Sequence, residues 1–326
     1  MERRRFVALL GLAALAPRAA RAFDLPPEPP RAIRDLIGLY GTPEAPLVVY
    51  EKDGRLFADG LGLKAQPLSR VTGRLYAAPG PEPRAILFDD AATVGGVRAP
   101  KRDFGAEVER AIRAKVKADP AALRRAALAA TPPSEGPKRP SDLVDLRTVD
   151  PSIRLDIRYA GSNNFMGVPL YERAGAWLQR PAAEALGRAA QRLRAEGYGL
   201  MIHDAYRPWF VTWMFWEAVP PASRDFVADP SKGSRHNRGC AVDLTLYDLK
   251  TGKVVEMPGR YDEMSLRSYP EFVGGTTRQR ALRDLLRTAM EAEGFTVYPQ
   301  EWWHFDYRDW PEYGIGNVSF TELARR

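Results

Sequence analysis

The spacing of hydrophobic positions changes part-way along the chain. From about residue 31 to 105 they come in short runs broken by turn residues. Leu47-Val48-Val49-Tyr50 and Arg55-Leu56-Phe57-Ala58 flank Glu51-Lys52-Asp53-Gly54, which predicts a hairpin. Arg74-Leu75-Tyr76-Ala77 and Ala85-Ile86-Leu87-Phe88, with Pro79-Gly80-Pro81 between them, predict a further pair. Together these runs read as a small antiparallel β domain without histidine or acids at ligand spacing. Residues 106–130 predict a helical stretch interrupted at Pro120, because proline cannot continue a helix. Residues 131–140 open with Thr131-Pro132-Pro133-Ser134-Glu135-Gly136-Pro137, the clearest linker in the chain.

Beyond the linker the periods are mixed. Residues 143–146 and 153–159 read as strands, and 161–167 as a polar loop. Residues 181–197 form an amphipathic helix, with proline at its start, glycine at its end and Leu186, Ala189, Ala190 and Leu193 as its buried stripe. A strand over 198–204 leads to an aromatic-rich helix over 209–217. A last long helix covers 276–293, closed by Gly294, and Phe295-Thr296-Val297-Tyr298 begins another strand. Residues 241–246 alternate as a strand does: Val242, Leu244 and Leu246 on one face, Ala241, Asp243 and Thr245 on the other. There is no repeating strand–helix–strand rhythm and no internal repeat. The predicted class is α+β: an antiparallel sheet flanked by helices over 141–326, preceded by a β accessory domain with a trailing helix over 23–130.

A length of 326 residues and an apolar fraction of 45% suit two ordinary globular domains. The formal charge of +7 invites a nucleic-acid reading until it is located. Five arginines against Glu2 leave a net +4 within residues 1–22 and only +3 in the rest. No basic stripe interleaved with aromatics remains, which argues against nucleic acid. Residues 1–22 instead read as an export signal: Arg3-Arg4-Arg5, an apolar run over 6–16 too short to span a bilayer, and Ala20-Arg21-Ala22 as a cleavage site. Arg-Arg-Arg-Phe-Val has a twin-arginine flavour, with an ordinary secretory signal as the alternative. The expected location is the periplasm, with no stable membrane anchor. The single cysteine, Cys240, excludes an internal disulfide and a cysteine-rich zinc site, and reads as core.

Candidate chemistry concentrates on few residues. The chain has three histidines: His203, His236 and His304. His236 sits in a polar, glycine-containing loop, and Asp243 follows seven positions later inside an apolar strand, where an ionised carboxylate is costly unless it meets a cation. His304 lies in Glu301-Trp302-Trp303-His304, beside a second acid. Two histidines and one aspartate suit a tetrahedral zinc site with one open position. The spacing is not a general zinc signature, so hydrogen-bonded histidines remain the alternative. Glu301 is then a candidate base, or else a surface strand carboxylate. In a plain strand Glu301 and His304 face opposite sides, so a shared site requires a bulge between them. Arg207, at a strand end, suits a developing oxyanion or simply pairs with Asp204. His203 and the rings of Trp302 and Trp303 read as structural.

Five blocks occur in order across about 142–310. They are Asp156-Ile157-Arg158-Tyr159-Ala160 with Asn164-Phe165; Asp204-Ala205-Tyr206-Arg207-Pro208; Ser234-x-His236-x-Arg238-Gly239-x-Ala241-x-Asp243-Leu244-Thr245-Leu246; Met257-Pro258-Gly259-Arg260-Tyr261-Asp262-Glu263-Met264; and Glu301-Trp302-Trp303-His304. In this it resembles the D-alanyl-D-alanine dipeptidase family, zinc peptidases of the wider D,D-peptidase group. The resemblance implies that fold, and one Zn2+ held by His236, Asp243 and His304. It implies Glu301 as base, taking a proton from the attacking water and passing it to the leaving amine, and Arg207 steadying the scissile carbonyl oxygen. Tyr159, Ser234 and Asp262 would surround the dipeptide, the acid near its ammonium end. Arg235 and Cys240 stand where that pattern has small polar residues, and the β domain falls outside the pattern, its open roles being packing, contact with the cell wall or shielding of the site. The implied reaction is hydrolysis of D-Ala-D-Ala or similar dipeptides from cell-wall peptidoglycan, in recycling rather than antibiotic resistance. A D,D-carboxypeptidase acting on longer peptides and a non-catalytic wall-binding protein are the alternatives.

Overall fold

The computed structural model describes residues 23–81 and 83–325; the export signal expected over 1–22 lies outside them. After a short helix α1 (Arg31–Arg34), eight strands follow in meander order: β1 (Gly38–Thr42), β2 (Ala45–Lys52), β3 (Arg55–Gly60), β4 (Leu63–Thr72), β5 (Leu75–Ala78), β6 (Arg84–Phe88), β7 (Ala91–Val94) and β8 (Val97–Arg102). Both predicted hairpins are present, as β2–β3 and β5–β6. β8 returns to β1 through Leu39↔Arg102 and Tyr40↔Lys101, which closes the sheet into a barrel and removes its free edges. Leu47 and Val49 of β2 point into the barrel core with Leu56, Ile86 and Phe88. Val48 and Tyr50, on the other face, are buried against Phe104 and Phe272 from outside the barrel. This two-sided burial explains why four apolar residues run together there.

The barrel is seated on the rest of the molecule through the same strand. Glu51 accepts from the Thr277 N–H at 2.7 Å, its own N–H donates to the Gly275 carbonyl at 3.0 Å, and Arg280 donates to its carbonyl at 2.7 Å. These contacts cap the start of a long helix, where Thr276 and Gln279 already form a capping box.

Helices α2 (Phe104–Ala118) and α3 (Pro120–Ala129) break at Pro120 as the sequence suggests, Asp119 capping the second. Their buried residues Ile112, Val116 and Ala127 join the larger hydrophobic core rather than the barrel's. The 131–140 segment is tied down: Glu135 takes Arg238 at 2.7 Å and the Ile315 N–H at 2.8 Å. Beyond it come β9 (Leu143–Asp145), β10 (Arg154–Leu155), β11 (Trp177–Gln179), α4 (Arg180–Ala195), β12 (Tyr198–Asp204), α5 (Trp209–Ala218), β13 (Ala241–Asp248), α6 (Thr277–Glu291), β14 (Phe295–Tyr298), β15 (Glu301–Tyr307) and a terminal turn α7 (Phe320–Leu323).

The class is mixed α+β. The main sheet runs β10-β12-β13-β15-β14, with α4 and α6 packed on it. All of its pairs are antiparallel except β10 with β12, which is parallel, so the expectation of a purely antiparallel sheet is corrected at that edge. The strand expected over 153–159 is only two residues long; residues 158–160 turn into a 3₁₀ helix that buries Tyr159. Leu186, Ala189, Ala190 and Leu193 of α4 are fully buried, and Cys240 is a buried free thiol. Among the described residues no helix is long and apolar enough to cross a membrane.

Candidate metal centre

Strand pairing brings two of the three candidate ligands together. β13 and β15 are antiparallel, and their register sets Asp243 directly opposite His304. The third, His236, arrives on the loop before β13. Gly239 turns that loop at φ +67°, where a side chain would be strained and its first carbon would sit 2.6 Å from Leu143. The loop is braced from both ends: Ser234 Oγ accepts from the His236 N–H at 3.2 Å, and the Arg207 N–H donates to the His236 carbonyl at 3.1 Å.

The three ligand atoms form a near-equilateral triangle. His236 Nε2 is 3.1 Å from His304 Nδ1 and 3.2 Å from Asp243 Oδ1, and His304 Nδ1 is 3.1 Å from that same oxygen. A tetrahedral zinc with ligands at about 2.0–2.1 Å sets neighbouring ligand atoms about 3.3 Å apart. Each remaining polar atom of the trio has its own partner. His236 Nδ1 lies 2.6 Å from the Ala205 carbonyl, His304 Nε2 2.9 Å from Asp306 Oδ1, and Asp243 Oδ2 takes the Tyr261 hydroxyl at 3.0 Å. Those partners orient both rings so that Nε2 of one and Nδ1 of the other point inward. Asp243 Oδ1 is buried and accepts no hydrogen bond from a conventional donor, the state expected of an oxygen reserved for a cation.

The electrostatics agree with the geometry. Burial opposes ionisation of Asp243, but the two imidazoles outweigh it and hold its carboxyl well below the usual range. Burial also pulls His304 down, yet Asp306 and Asp243 prevail and raise it to about 10. The trio's donor set and spacing fit a divalent zinc.

Glu301 lies beside the trio, with Oε2 3.5 Å from His304 Nδ1. The bulge that this requires is present. Pairing between β14 and β15 proceeds evenly to Val297↔Phe305 and then jumps to Tyr298↔Glu301, so residues 302–304 lie between these two paired positions. Burial, with help from Asp243 and against His304, lifts the Glu301 carboxyl to about 8. On the Asp243 side Arg207 is almost fully buried; it pairs with Asp204 at 2.8 Å and approaches Asp243 Oδ2 at 3.6 Å. The ion pair with Asp204 is thus present, and Arg207 also lines the cavity. Tyr159 donates to the Asp262 carboxylate at 2.9 Å, and burial raises that carboxyl well above its ordinary value. The trio, Glu301, Arg207, Tyr159, Asp262 and Ser234 line one cavity of about 570 Å³. His203 stays apart from the trio: it is buried, 3.2 Å from the Asp156 carbonyl, and tilted against the Tyr261 ring.

Residues 139–320 match the protein family described as D-ala-D-ala dipeptidase. The chain belongs to that family. A D-alanyl-D-alanine dipeptidase of Escherichia coli (strain K12) is 35% identical over 166 residues, covering 51% of this chain and 84% of that protein. Proteins of the same name from Enterococcus faecium and Streptomyces coelicolor are 36% and 34% identical over 180 and 177 residues, each covering 49% of this chain and 88% of its own length.

Two positioning residues escaped the sequence reading. Asp306 shares a strand face with His304 because the two are separated by two positions, a signal that was available. Tyr261 stands next to Asp262 in the fourth block, but its hold on Asp243 depends on a loop fold that periodicity does not encode.

Proposed function

We propose that this chain is a zinc-dependent D-alanyl-D-alanine dipeptidase whose catalytic unit is residues 141–326. The observation that carries the reading is the convergence of His236, Asp243 and His304 at mutual distances of 3.1–3.2 Å with Glu301 alongside. Those three residues would hold one zinc ion, which when bound supplies Lewis-acid polarisation of the scissile carbonyl and a more acidic water. Glu301, a carboxyl poised near neutrality, takes a proton from the attacking water and returns it to the leaving amine. Arg207, locked by Asp204, donates toward the oxygen on which negative charge develops. Asp262, half-buried and among the described residues without a cation in hydrogen-bond contact, receives the substrate ammonium while Tyr159 orients it. Ser234 offers its hydroxyl to the substrate from beside His236.

The location and supply of substrate belong to the same proposal. Arg3-Arg4-Arg5 ahead of an apolar run supports export, and an exported dipeptidase meets dipeptides released from the cell wall. The barrel would serve as an accessory unit toward that wall. A second reading, D,D-carboxypeptidase action on longer peptides, is favoured by a cavity of about 570 Å³, roomier than an alanyl dipeptide needs.

The test is metal analysis with a D-Ala-D-Ala hydrolysis assay on the mature chain. Glu301→Gln is expected to retain zinc and lose about 100- to 10,000-fold in kcat. Unchanged turnover in that variant refutes the assignment. A pentapeptide ending in D-Ala-D-Ala cleaved faster than the dipeptide would shift the conclusion to the second reading.

A further inference from the structure

The cavity has two unlike flanks. On the Asp243 side it is closed by Tyr159, Asp262 and Arg207, each committed to a hydrogen bond or ion pair. On the His304 side the wall carries two arginines with little to hold. Arg235 directly precedes the ligand His236. Its side chain is 40% exposed, and its one ionic neighbour, Asp306, is 3.6 Å away. No hydrogen bond reaches its buried Nε, and the guanidinium rests 4.8 Å from the centre of the Trp310 ring and 5.9 Å from that of Tyr298. Arg224 stacks on Trp216 at 4.4 Å, and its Nε is likewise buried without a partner; among the described residues it has no ion pair. Lys232 and Asp229 on this wall answer each other at 3.7 Å, and Asp225 and Glu301 are the other acids lining this side. The His304 flank therefore presents to the substrate cavity two guanidiniums whose Nε atoms have no hydrogen-bond partner.

Arginines flattened on aromatic rings lose little freedom on binding, and each presents a planar fork matched to a carboxylate. In the proposed reaction the ammonium end of the substrate lies toward Asp262, so the leaving residue lies toward Arg235. We infer that this subsite, with two guanidiniums to satisfy, selects a leaving residue bearing a second negative charge besides its α-carboxylate, a D-amino acid with a carboxylate side chain, and that Arg235 is its specificity-determining residue with Arg224 in support. This rests on the dipeptidase reading and refines its substrate class.

The test compares kcat/KM for D-Ala-D-Glu with its uncharged isostere D-Ala-D-Gln, with D-Ala-D-Ala as reference, on the zinc-loaded full chain. The wild-type Glu/Gln ratio is expected to be about tenfold or more, carried mainly by KM, since a charge-assisted contact is about twice as strong as a neutral one. Arg235→Gln should bring the ratio close to one, and Arg224→Gln should lower it part-way. A wild-type ratio of one or less, with D-Ala-D-Ala still hydrolysed, overturns the inference and leaves the dipeptidase reading standing. A wild-type preference that persists undiminished in Arg235→Gln overturns the role of Arg235. No turnover of any of the three dipeptides overturns both the inference and the reading beneath it.

Discussion

Asp243 and His304 face each other across β13 and β15, with Oδ1 and Nδ1 3.1 Å apart. A hydrogen-bonding register thus holds two residues 61 positions apart in contact, and the His236 loop need only close the triangle.

Metal content should follow that contact. Asp243→Ala is expected to abolish stoichiometric zinc and with it D-Ala-D-Ala hydrolysis. Chelation of the unmodified protein should lower its Tm, and zinc at about 100 times Kd should restore about 2.7 kcal/mol. Inductively coupled plasma analysis and thermal melts check both; a zinc-replete Asp243→Ala protein would contradict the ligand set.

Asp306 acts through His304 rather than on substrate, since Oδ1 lies 2.9 Å from His304 Nε2. Asp306→Ala should weaken zinc about 10- to 100-fold. Competition against a chelating dye measures this directly. Activity at saturating zinc should recover most of its loss, which loss of a group acting on substrate would not allow.

Arg207 is expected to separate chemistry from folding. Arg207→Lys keeps a charge near Asp204 but loses the guanidinium fork, and kcat should fall about 100- to 1,000-fold with zinc retained. Arg207→Ala leaves Asp204, 1% exposed, as an uncompensated buried charge and should cost about 3–5 kcal/mol of stability. Steady-state kinetics and urea melts of the two variants distinguish these effects. Wild-type kcat in the lysine variant would remove Arg207 from the mechanism.

His203 sets a pH window for stability. Burial first, and Arg158 second, pull its imidazole from 6.5 down to about 4, against Asp156. The fold favours the neutral ring, so between those values the unfolded chain binds more protons than the folded one. The contribution is complete above pH 6.5 and is lost as pH falls toward 4, a difference on the order of 3 kcal/mol. His203→Gln should flatten this part of the profile. Denaturant melts at pH 7 and 4.5 provide the check, and equal losses in both proteins would assign the acid sensitivity elsewhere.

Local features were legible without coordinates. The helix break at Pro120, the buried stripe of α4, both hairpins and the need for a bulge between Glu301 and His304 all follow from spacings of a few residues. Ordered blocks brought His236, Asp243, His304, Glu301 and Arg207 forward together. Each of these signals lies within one element, where backbone geometry ties spacing to direction.

Closure of the barrel, the parallel pairing of β10 with β12, and the assignment of α2 and α3 to the larger core were decided by tertiary packing. So were the grip of Tyr261 on Asp243 and the lack of a hydrogen-bond partner at Nε of Arg224 and of Arg235. The sequence by itself determined which chemical groups are present and which way each local segment turns. Which groups meet, and which are left without a partner, depends on contacts between segments far apart along the chain, whose register no local period encodes.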